Sequence, residues 1–410
     1  MSEGIGAVIV GAGLAGVTAA IGLRRRGFDR PITLVNEEHE FPYDRPPLSK
    51  EVLSGDRSPQ DILLHPATTY GEHGISLLSG TRVRAIDRER RVLMLEGGKA
   101  LGYEHLVLAT GARPRCLKLR RAEASSSDRL FYLRNMRDAN GLRPHLARDK
   151  HLLVIGAGFI GLEVAACARR LGCRVTVLEA GQRVLERAAP PEVSRFVQDV
   201  HRENGVDFVF GAQVIDISED DHAIAVHLAD DETRTGDVVL AGIGALPNDD
   251  LARDAGLPCD NGIVVDQQCR TADPHVFAVG DVAKAFNPFL ACHLRLEHWE
   301  SALQTGEVAA AAICGEATVN DGLPWVWSDQ YSLNIQFLGW SEPHAEKVVR
   351  GEPGKGSWSL IQVLDGRVIG AVLVNAGRER RPIERLIKNR TAVDAAQLAD
   401  TGIALKQLAV

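Results

Sequence analysis

Two kinds of apolar run divide the chain, and the change from one to the other predicts a change of architecture. Over most of its length the runs are short and unbroken, as in Val8-Ile9-Val10, Leu152-Leu153-Val154-Ile155 and Val276-Phe277-Ala278-Val279, each closed by a glycine turn. A strand buried on both faces reads this way, and such strands belong to parallel sheets covered by helices. Ala-rich segments of helical character follow the first two runs, which gives the strand-helix-strand order of a doubly wound fold. From about Pro324 the pattern changes. Leu333-Asn334-Ile335-Gln336-Phe337-Leu338 and Trp358-Ser359-Leu360-Ile361-Gln362-Val363 alternate apolar with polar, as half-buried antiparallel strands do, and Asp365-Gly366 is a hairpin signal.

The glycine turns after the first two runs share one spacing. Gly11-Ala12-Gly13-Leu14-Ala15-Gly16 and Gly156-Ala157-Gly158-Phe159-Ile160-Gly161 both read Gly-x-Gly-x-x-Gly between a strand and a helix, about 145 residues apart. The first glycine allows the tight turn, the second lets backbone amides approach a pyrophosphate, and the third lets the helix pack on the strand. Each turn is followed by a second strand ending in an acid. Pro31-Ile32-Thr33-Leu34-Val35 runs into Asn36-Glu37, and Val175-Thr176-Val177-Leu178 into Glu179. A carboxylate at that point accepts hydrogen bonds from an adenosine ribose. Two complete fingerprints imply two dinucleotides.

Further apolar strands end in small-residue turns at Ala109-Thr110-Gly111, Gly242-Ile243-Gly244 and Gly280-Asp281, again where a dinucleotide can approach. The strand before Gly280 suits neither its neighbours nor a new domain, so the economical arrangement inserts the second unit into the first. The expected fold is α/β, with two Rossmann-like dinucleotide-binding domains plus a C-terminal α+β domain with an antiparallel sheet. The expected boundaries are 1–112 with 245–323, then 113–244, then 324–410. The polar stretch from Arg113 to Asp128, with Ser125-Ser126-Ser127, reads as a linker.

At 410 residues the chain exceeds one ordinary core. Its net charge of -7 and pI near 6.0 argue against general nucleic-acid binding. Met1-Ser2-Glu3-Gly4 leads into the first strand without a signal peptide, and no apolar stretch reaches transmembrane length, so no membrane partner is expected and the expected location is cytoplasmic. Seven cysteines stand without C-x-x-C, C-x-x-x-x-C or metal-ligand spacing, and no metal site is expected.

These features together resemble the FAD-dependent NADH:ferredoxin reductases that serve Rieske-type oxygenases and bacterial haem monooxygenases, within the glutathione-reductase-like superfamily. The most specific segment is Phe41-Pro42-Tyr43-Asp44-Arg45-Pro46-Pro47-Leu48-Ser49-Lys50. Asp273 to Asp281 is similar to the superfamily's second FAD signature, and Arg295-Leu296-Glu297-His298-Trp299 and Trp325-Val326-Trp327-Ser328-Asp329-Gln330 also look like this group. The resemblance implies FAD on the first fingerprint and NADH on the second. It implies that Glu37 binds the FAD ribose, Val83 the adenine edge through its backbone, Arg134 another polar part of the cofactor, and Asp281 the ribityl chain.

Three residues carry the chemistry that the resemblance implies. Lys50, after the stiff Pro46-Pro47, is a cation to stabilise negative charge developing on the flavin. Glu163, placed on the first turn of its helix by the spacing, is implied to pair with Lys50, and Trp299 to lie against the isoalloxazine. Glu179 repels a 2'-phosphate and so favours NADH, while Arg183 is open to two roles, receiving a phosphate or packing on adenine. The implied reaction passes hydride to the flavin and then single electrons to a [2Fe-2S] ferredoxin that feeds a terminal oxygenase. Disulfide reductases, peroxidases and NADH oxidases of the superfamily need a redox cysteine where this chain has Pro46-Pro47-Leu48-Ser49. Rubredoxin and quinone reductases, and a redox binding module like the apoptosis-inducing factors, stay open. A basic cluster of Arg378, Arg380, Arg381, Arg385, Lys388 and Arg390, diluted by Glu379 and Glu384, is a candidate surface for an acidic ferredoxin.

Overall fold

The computed structural model describes residues 5–120 and 127–409. Met1-Ser2-Glu3-Gly4 and residues 121–126 of the expected linker lie outside the described residues.

The first compact unit comprises Met1–Asp44, Pro59–Arg113 and Ala245–Pro324. Its main sheet runs Val276–Ala278, His105–Leu108, Ala7–Val10, Ile32–Val35, Ile75–Leu78, with every neighbour parallel. Ala7–Val10 is flanked on both sides, Ile9 opposite Leu34 and Val107, and all four of its residues are buried. This is why its sequence has no polar alternation. Val276–Ala278, remote in sequence, takes the edge beside His105–Leu108, so the chain returns to this sheet after the inserted segment. The helices Leu14–Arg25 and Trp299–Ile313 meet through small residues: a Cβ on Gly306 would stand 2.7 Å from the Ala15 carbonyl.

The second unit comprises Arg45–Ser58, Pro114–Gly244 and Trp325–Val410. Its parallel sheet runs Val206–Phe210, Arg174–Glu179, His151–Ile155, Val238–Ala241, Leu130–Phe131. A three-stranded antiparallel sheet, Val214–Glu219, Ile224–Leu228 and Thr233–Gly236, follows within the same unit. The C-terminal sheet is antiparallel throughout, in the order Trp325–Gln330, Leu333–Gly339, Arg367–Val374, Trp358–Leu364, Glu346–Gly351.

The structure departs from the sequence expectations in two ways. Residues 45–58, expected inside the stretch 1–112, group with the second unit, and the segment expected as a separate domain from 324 groups there too. Polar contacts join these segments, with Arg45 Nη1 donating to the Arg134 carbonyl at 2.9 Å and Ser49 and Ser328 both donating to Glu163, and Leu48, Val52 and Leu53 are buried there as well. The strand Trp358–Leu364, read as half-buried, is buried at six of its seven positions. Its polar residues are satisfied inside the protein: Gln362 accepts from Ser341 Oγ at 2.7 Å, and Ser359 donates to Glu379.

In both fingerprints the third glycine is required by packing. A Cβ on Gly16 would run into the Gly11 carbonyl, and one on Gly161 into the Gly156 carbonyl. Neither obstacle is a side chain that can swing aside. Gly16→Ala and Gly161→Ala should therefore each cost about 1–3 kcal/mol by forcing helix from strand, read as a lower melting temperature in the cofactor-free protein. Unchanged melting would contradict this account of the helix-strand contact.

Candidate functional site

In the first fingerprint Gly11 turns the chain at φ +108, with its Cα against the Ala109 carbonyl. The helix Leu14–Arg25 starts at Gly13 without a side-chain cap and without an acid in its first turn, while Arg24 and Arg25 occupy its last. Its first N–H groups, including those of Leu14 and Ala15, thus present the positive end of the helix dipole without a competing carboxylate. Gly13 has ordinary extended dihedrals, and a Cβ there would meet nothing within 4 Å. Nothing in the protein demands glycine at this point, which fits a ligand approaching the backbone.

Neighbouring groups in the first unit converge on this turn. Gly280, at φ +70, packs on Ala15, where a Cβ would approach the Ala15 methyl to 2.9 Å, and its N–H donates to Thr305 Oγ1. That sets Gly280 and Asp281 beside the helix start. The Ala109-Thr110-Gly111 turn is braced by Thr110 Oγ1 donating to the Asn248 carbonyl at 2.7 Å and Asn248 Nδ2 donating back at 2.9 Å. Glu37 projects beyond the end of its strand, two-thirds exposed, with Arg82 at 3.5 Å, and Val83 opens a strand with a bulge before Ala85. Glu297 is ion-paired with Arg295 at 2.7 Å. Trp299 opens its helix, its indole N–H donating to Asp44 Oδ1 at 2.9 Å. Burial pushes the His298 imidazole down to about 4, against the opposing charge of Asp281, and its Nδ1 is buried without a hydrogen-bond partner. Buried polar atoms are normally satisfied, so this orphan also fits a polar ligand.

The second fingerprint repeats the construction. Gly156 turns at φ +101, where a Cβ would stand 2.5 Å from the Gly242 carbonyl, and Gly158 again has nothing within 4 Å. Phe159 packs edge-on against Phe337 with centroids 5.2 Å apart, Ile160 is exposed, and the Gly242-Ile243-Gly244 turn ends at φ +109. Glu179 lies at its strand end as expected. Its carboxylate accepts from Ala157 N at 2.6 Å and Gly181 N at 2.7 Å, so it braces the glycine turn and keeps unused lone pairs. Arg183 finds partners inside the protein. Its guanidinium donates to the carbonyls of Ala189 and Glu186 at 2.6 and 2.8 Å and to Ser194 Oγ at 2.5 Å, tying its loop to the start of the helix Pro191–Glu203.

An enclosed polar cluster centres on Glu163, 6% exposed. Lys50 Nζ lies 2.9 Å from Glu163 Oε2 and also donates to the Pro46 carbonyl at 3.2 Å. Ser49 Oγ donates to Oε2, and Ser328 Oγ to Oε1 at 2.6 Å. Pro46–Ser49 is a single 3-10 turn that brings Ser49 and Lys50 to this carboxylate. Glu163 is the fifth residue of the helix Phe159–Arg170, in its second turn and not the first. The helix dipole has faded there, so the ion pair and the hydroxyls account for the buried charge. Ser49 and Ser328 escaped the sequence reading. For Ser328 the sequence offers only its spacing of two from Gln330 on the strand Trp325–Gln330, and for Ser49 no signal of a partner.

The Arg134 backbone serves Arg45 and, through its N–H, Asp138 Oδ2 at 2.8 Å. All seven cysteines are free thiols, and Cys167, one turn beyond Glu163, has its thiol pushed up to about 12 by burial. In the C-terminal segment Arg378, Arg381, Arg385, Lys388 and Arg390 are exposed, while Arg380 stacks over Trp325 at 3.7 Å. Glu379 turns inward to Arg350 Nε at 2.7 Å, which leaves Glu384, paired with Lys388, as the acid diluting the patch.

The profile of the pyridine nucleotide-disulphide oxidoreductase family matches residues 6–306, and that of the reductase C-terminal family matches 325–409. The chain is 43% identical over 404 residues to the ferredoxin–NAD(+) reductase component of an anthranilate 1,2-dioxygenase system from Burkholderia cepacia, covering 97% of this chain and 98% of that protein. It is 40% identical over 404 residues to putidaredoxin reductase from Pseudomonas putida, covering 98% and 96%. Among solved structures, a covalent putidaredoxin reductase–putidaredoxin complex superposes with a TM-score of 0.95 at 38% identity, covering 99% of this chain and 98% of that one.

The two open glycines make a sharp contrast with the two packed ones. Gly13→Ala and Gly158→Ala should leave the cofactor-free protein as stable as before or about 0.4–1 kcal/mol more so, because alanine restricts the unfolded chain. The first should weaken flavin retention and the second NADH binding, each measurable by absorbance and calorimetry. Intact binding in either variant would mean that no ligand approaches that backbone.

Proposed function

Because the chain belongs to the pyridine nucleotide-disulphide oxidoreductase family, we propose that it is the NADH-dependent flavoprotein reductase of an oxygenase system, passing electrons to a [2Fe-2S] ferredoxin. The observation that carries this reading is the buried Lys50–Glu163 pair. The segment Pro46–Ser49, where the disulfide-using members need a thiol, delivers Lys50 to Glu163 instead. Cys167, the thiol nearest Glu163 in sequence, is disfavoured as a thiolate by burial. This reading uses no thiol relay, and an external one-electron carrier is the natural acceptor.

Bound FAD supplies the conversion of a two-electron input to one-electron outputs. The chain supplies binding, orientation and charge. Residues 1–44, 59–112 and 245–323 would hold most of the FAD: the amides after Gly11 and Gly13 its pyrophosphate, Glu37 its ribose, Val83 the adenine edge and Asp281 its ribityl chain, with Arg134, from outside these stretches, at another polar part of the cofactor. Arg45 and Pro46 set the segment that carries Lys50, and Lys50 stabilises negative charge developing on the flavin. Trp299 packs on the ring, its orientation held by Asp44. Residues 113–244 hold NADH at Gly156, Gly158 and the helix start, with Glu179 accepting from the 2'-hydroxyl. With Arg183 spent on its own loop, a 2'-phosphate would meet a carboxylate and no compensating guanidinium from that residue, which favours NADH over NADPH. Residues 324–410 present the basic patch, with Glu379 withdrawn, to an acidic ferredoxin. No described helix is long and apolar enough to cross a membrane; the proposed location is the cytoplasm and the proposed pathway the oxidation of aromatic compounds.

The test is NADH-driven reduction of cytochrome c through added [2Fe-2S] ferredoxin beside direct reduction of ferricyanide. Reversing Arg381 and Arg385 to Glu should lower the ferredoxin-dependent rate about tenfold at low salt and flatten its fall with ionic strength, with the ferricyanide rate unchanged. Equal loss with both acceptors would make the patch structural. If no [2Fe-2S] ferredoxin takes electrons faster than oxygen does, the reductase assignment falls.

A further inference from the structure

We infer that Ser328, Gln330 and His201 are positioning residues for the Lys50–Glu163 pair, forming a directed hydrogen-bond relay that ends on the Glu163 carboxylate. The inference rests on the reading of Lys50 and Glu163 given above. The relay can be followed atom by atom. Tyr331 OH lies 3.3 Å from His201 Nδ1, His201 Nε2 lies 2.9 Å from Gln330 Oε1, Gln330 Nε2 donates to Ser328 Oγ at 3.0 Å, and Ser328 Oγ donates to Glu163 Oε1 at 2.6 Å. Ser328, Gln330 and His201 are each at most 1% exposed.

One assignment of protons satisfies every link. Glu163 Oε1, as a carboxylate oxygen, only accepts, so the Ser328 hydroxyl gives its proton there and must itself accept from the Gln330 amide. The Gln330 carbonyl then takes the His201 Nε2–H, which leaves His201 Nδ1 to accept from Tyr331. This requires a neutral imidazole, and burial pushes His201 down to about 4. All four donors therefore point one way, toward the carboxylate, and hydrogen bonds aligned head to tail polarise one another. Gln330 breaks any proton path, because an amide passes a proton only by tautomerising. The chain is a brace and not a wire.

Geometry shows what the brace does. Lys50 and Ser49 both address Oε2, from the segment 45–58, and Ser328 alone among the relay addresses Oε1. Without Ser328 the carboxylate is held at Oε2 alone, its last torsion, a broad and soft one, is less restrained, and the ammonium faces a less fixed partner. A strand that served only to cover the helix Phe159–Arg170 would do so with apolar side chains at no risk of unsatisfied groups. Ser328 and Gln330 sit two apart on Trp325–Gln330, on one face, as a relay from a strand requires.

The test uses the FAD-loaded protein, with Ser328→Ala made in wild-type and Glu163→Gln backgrounds and Lys50→Met as reference. Three quantities are read: the rate of reductive methylation of the Lys50 amine by peptide mass spectrometry, the anaerobic rate of flavin reduction by NADH, and the melting temperature. Ser328→Ala should speed Lys50 methylation and slow flavin reduction by about fivefold each, the factor one buried hydrogen bond is worth, and should add nothing to either in the Glu163→Gln background. A lower melting temperature with wild-type methylation would make the relay a structural staple and overturn the inference, as would an equal effect in both backgrounds. Should Ser328→Ala not fold, Gln330→Met keeps the serine hydroxyl but removes its donor: faster Lys50 methylation in that variant supports the relay, and a wild-type rate overturns it. If Lys50→Met and Glu163→Gln themselves reduce at the wild-type rate, the role given to the pair in hydride transfer falls, while methylation still decides whether the relay positions it.

Discussion

A carboxylate carried into the interior must be paired or be paid for by the fold, and Glu163 is the point where this constraint acts on the second unit. Removing one partner of a buried ion pair typically costs about 3–5 kcal/mol, because the other charge is left without water or counterion. Glu163 meets the requirement with Lys50 and Ser49 from residues 45–58 and Ser328 from the C-terminal sheet. Three stretches far apart in sequence are thereby obliged to meet on one helix, Phe159–Arg170. Residues 45–58, which also bury Leu48, Val52 and Leu53, cluster with 114–244 and 325–410 and not with the stretches that flank them in sequence.

The two glycine turns show a division of labour that their shared spacing conceals. Gly11 and Gly156 are held by positive φ and by an opposing carbonyl, and Gly16 and Gly161 by the close seat of a helix on its strand. These are demands of folding. Gly13 and Gly158 face open space with ordinary dihedrals, so their demand comes from a ligand. Uncapped helix starts with arginines in the last turn complete an electrostatic setting for a pyrophosphate, in both units and by the same means.

Much of this was legible in the chain because buried parallel strands leave an unambiguous mark. The runs at Ala7–Val10, His151–Ile155 and Val276–Ala278 took the places in their sheets that unbroken apolar sequence requires. Side chains whose meaning depends on distant partners were not legible. Ser328 and Gln330 look like the wet face of a strand until Glu163 and His201 are placed opposite them. The three acceptors that Arg183 meets, at Glu186, Ala189 and Ser194, carry no mark in the sequence either. The alternation in Trp358–Leu364 suggested one wet face, but helical and side-chain partners cover it, and periodicity carries no information about what lies across a face. The pairing of Lys50 with Glu163 came only from family resemblance, since residues so far apart in sequence share no local cue.

Native-state hydrogen exchange on Glu163→Gln tests the central claim, that one buried charge holds three segments together. The substitution keeps the shape of the side chain and removes its charge. Protection should fall together in residues 46–54, in the helix Phe159–Arg170 and in the strand Trp325–Gln330, with the first unit's sheet strand Ala7–Val10 unchanged as an internal reference. Loss of protection confined to the helix, or no loss in residues 46–54, would contradict the account.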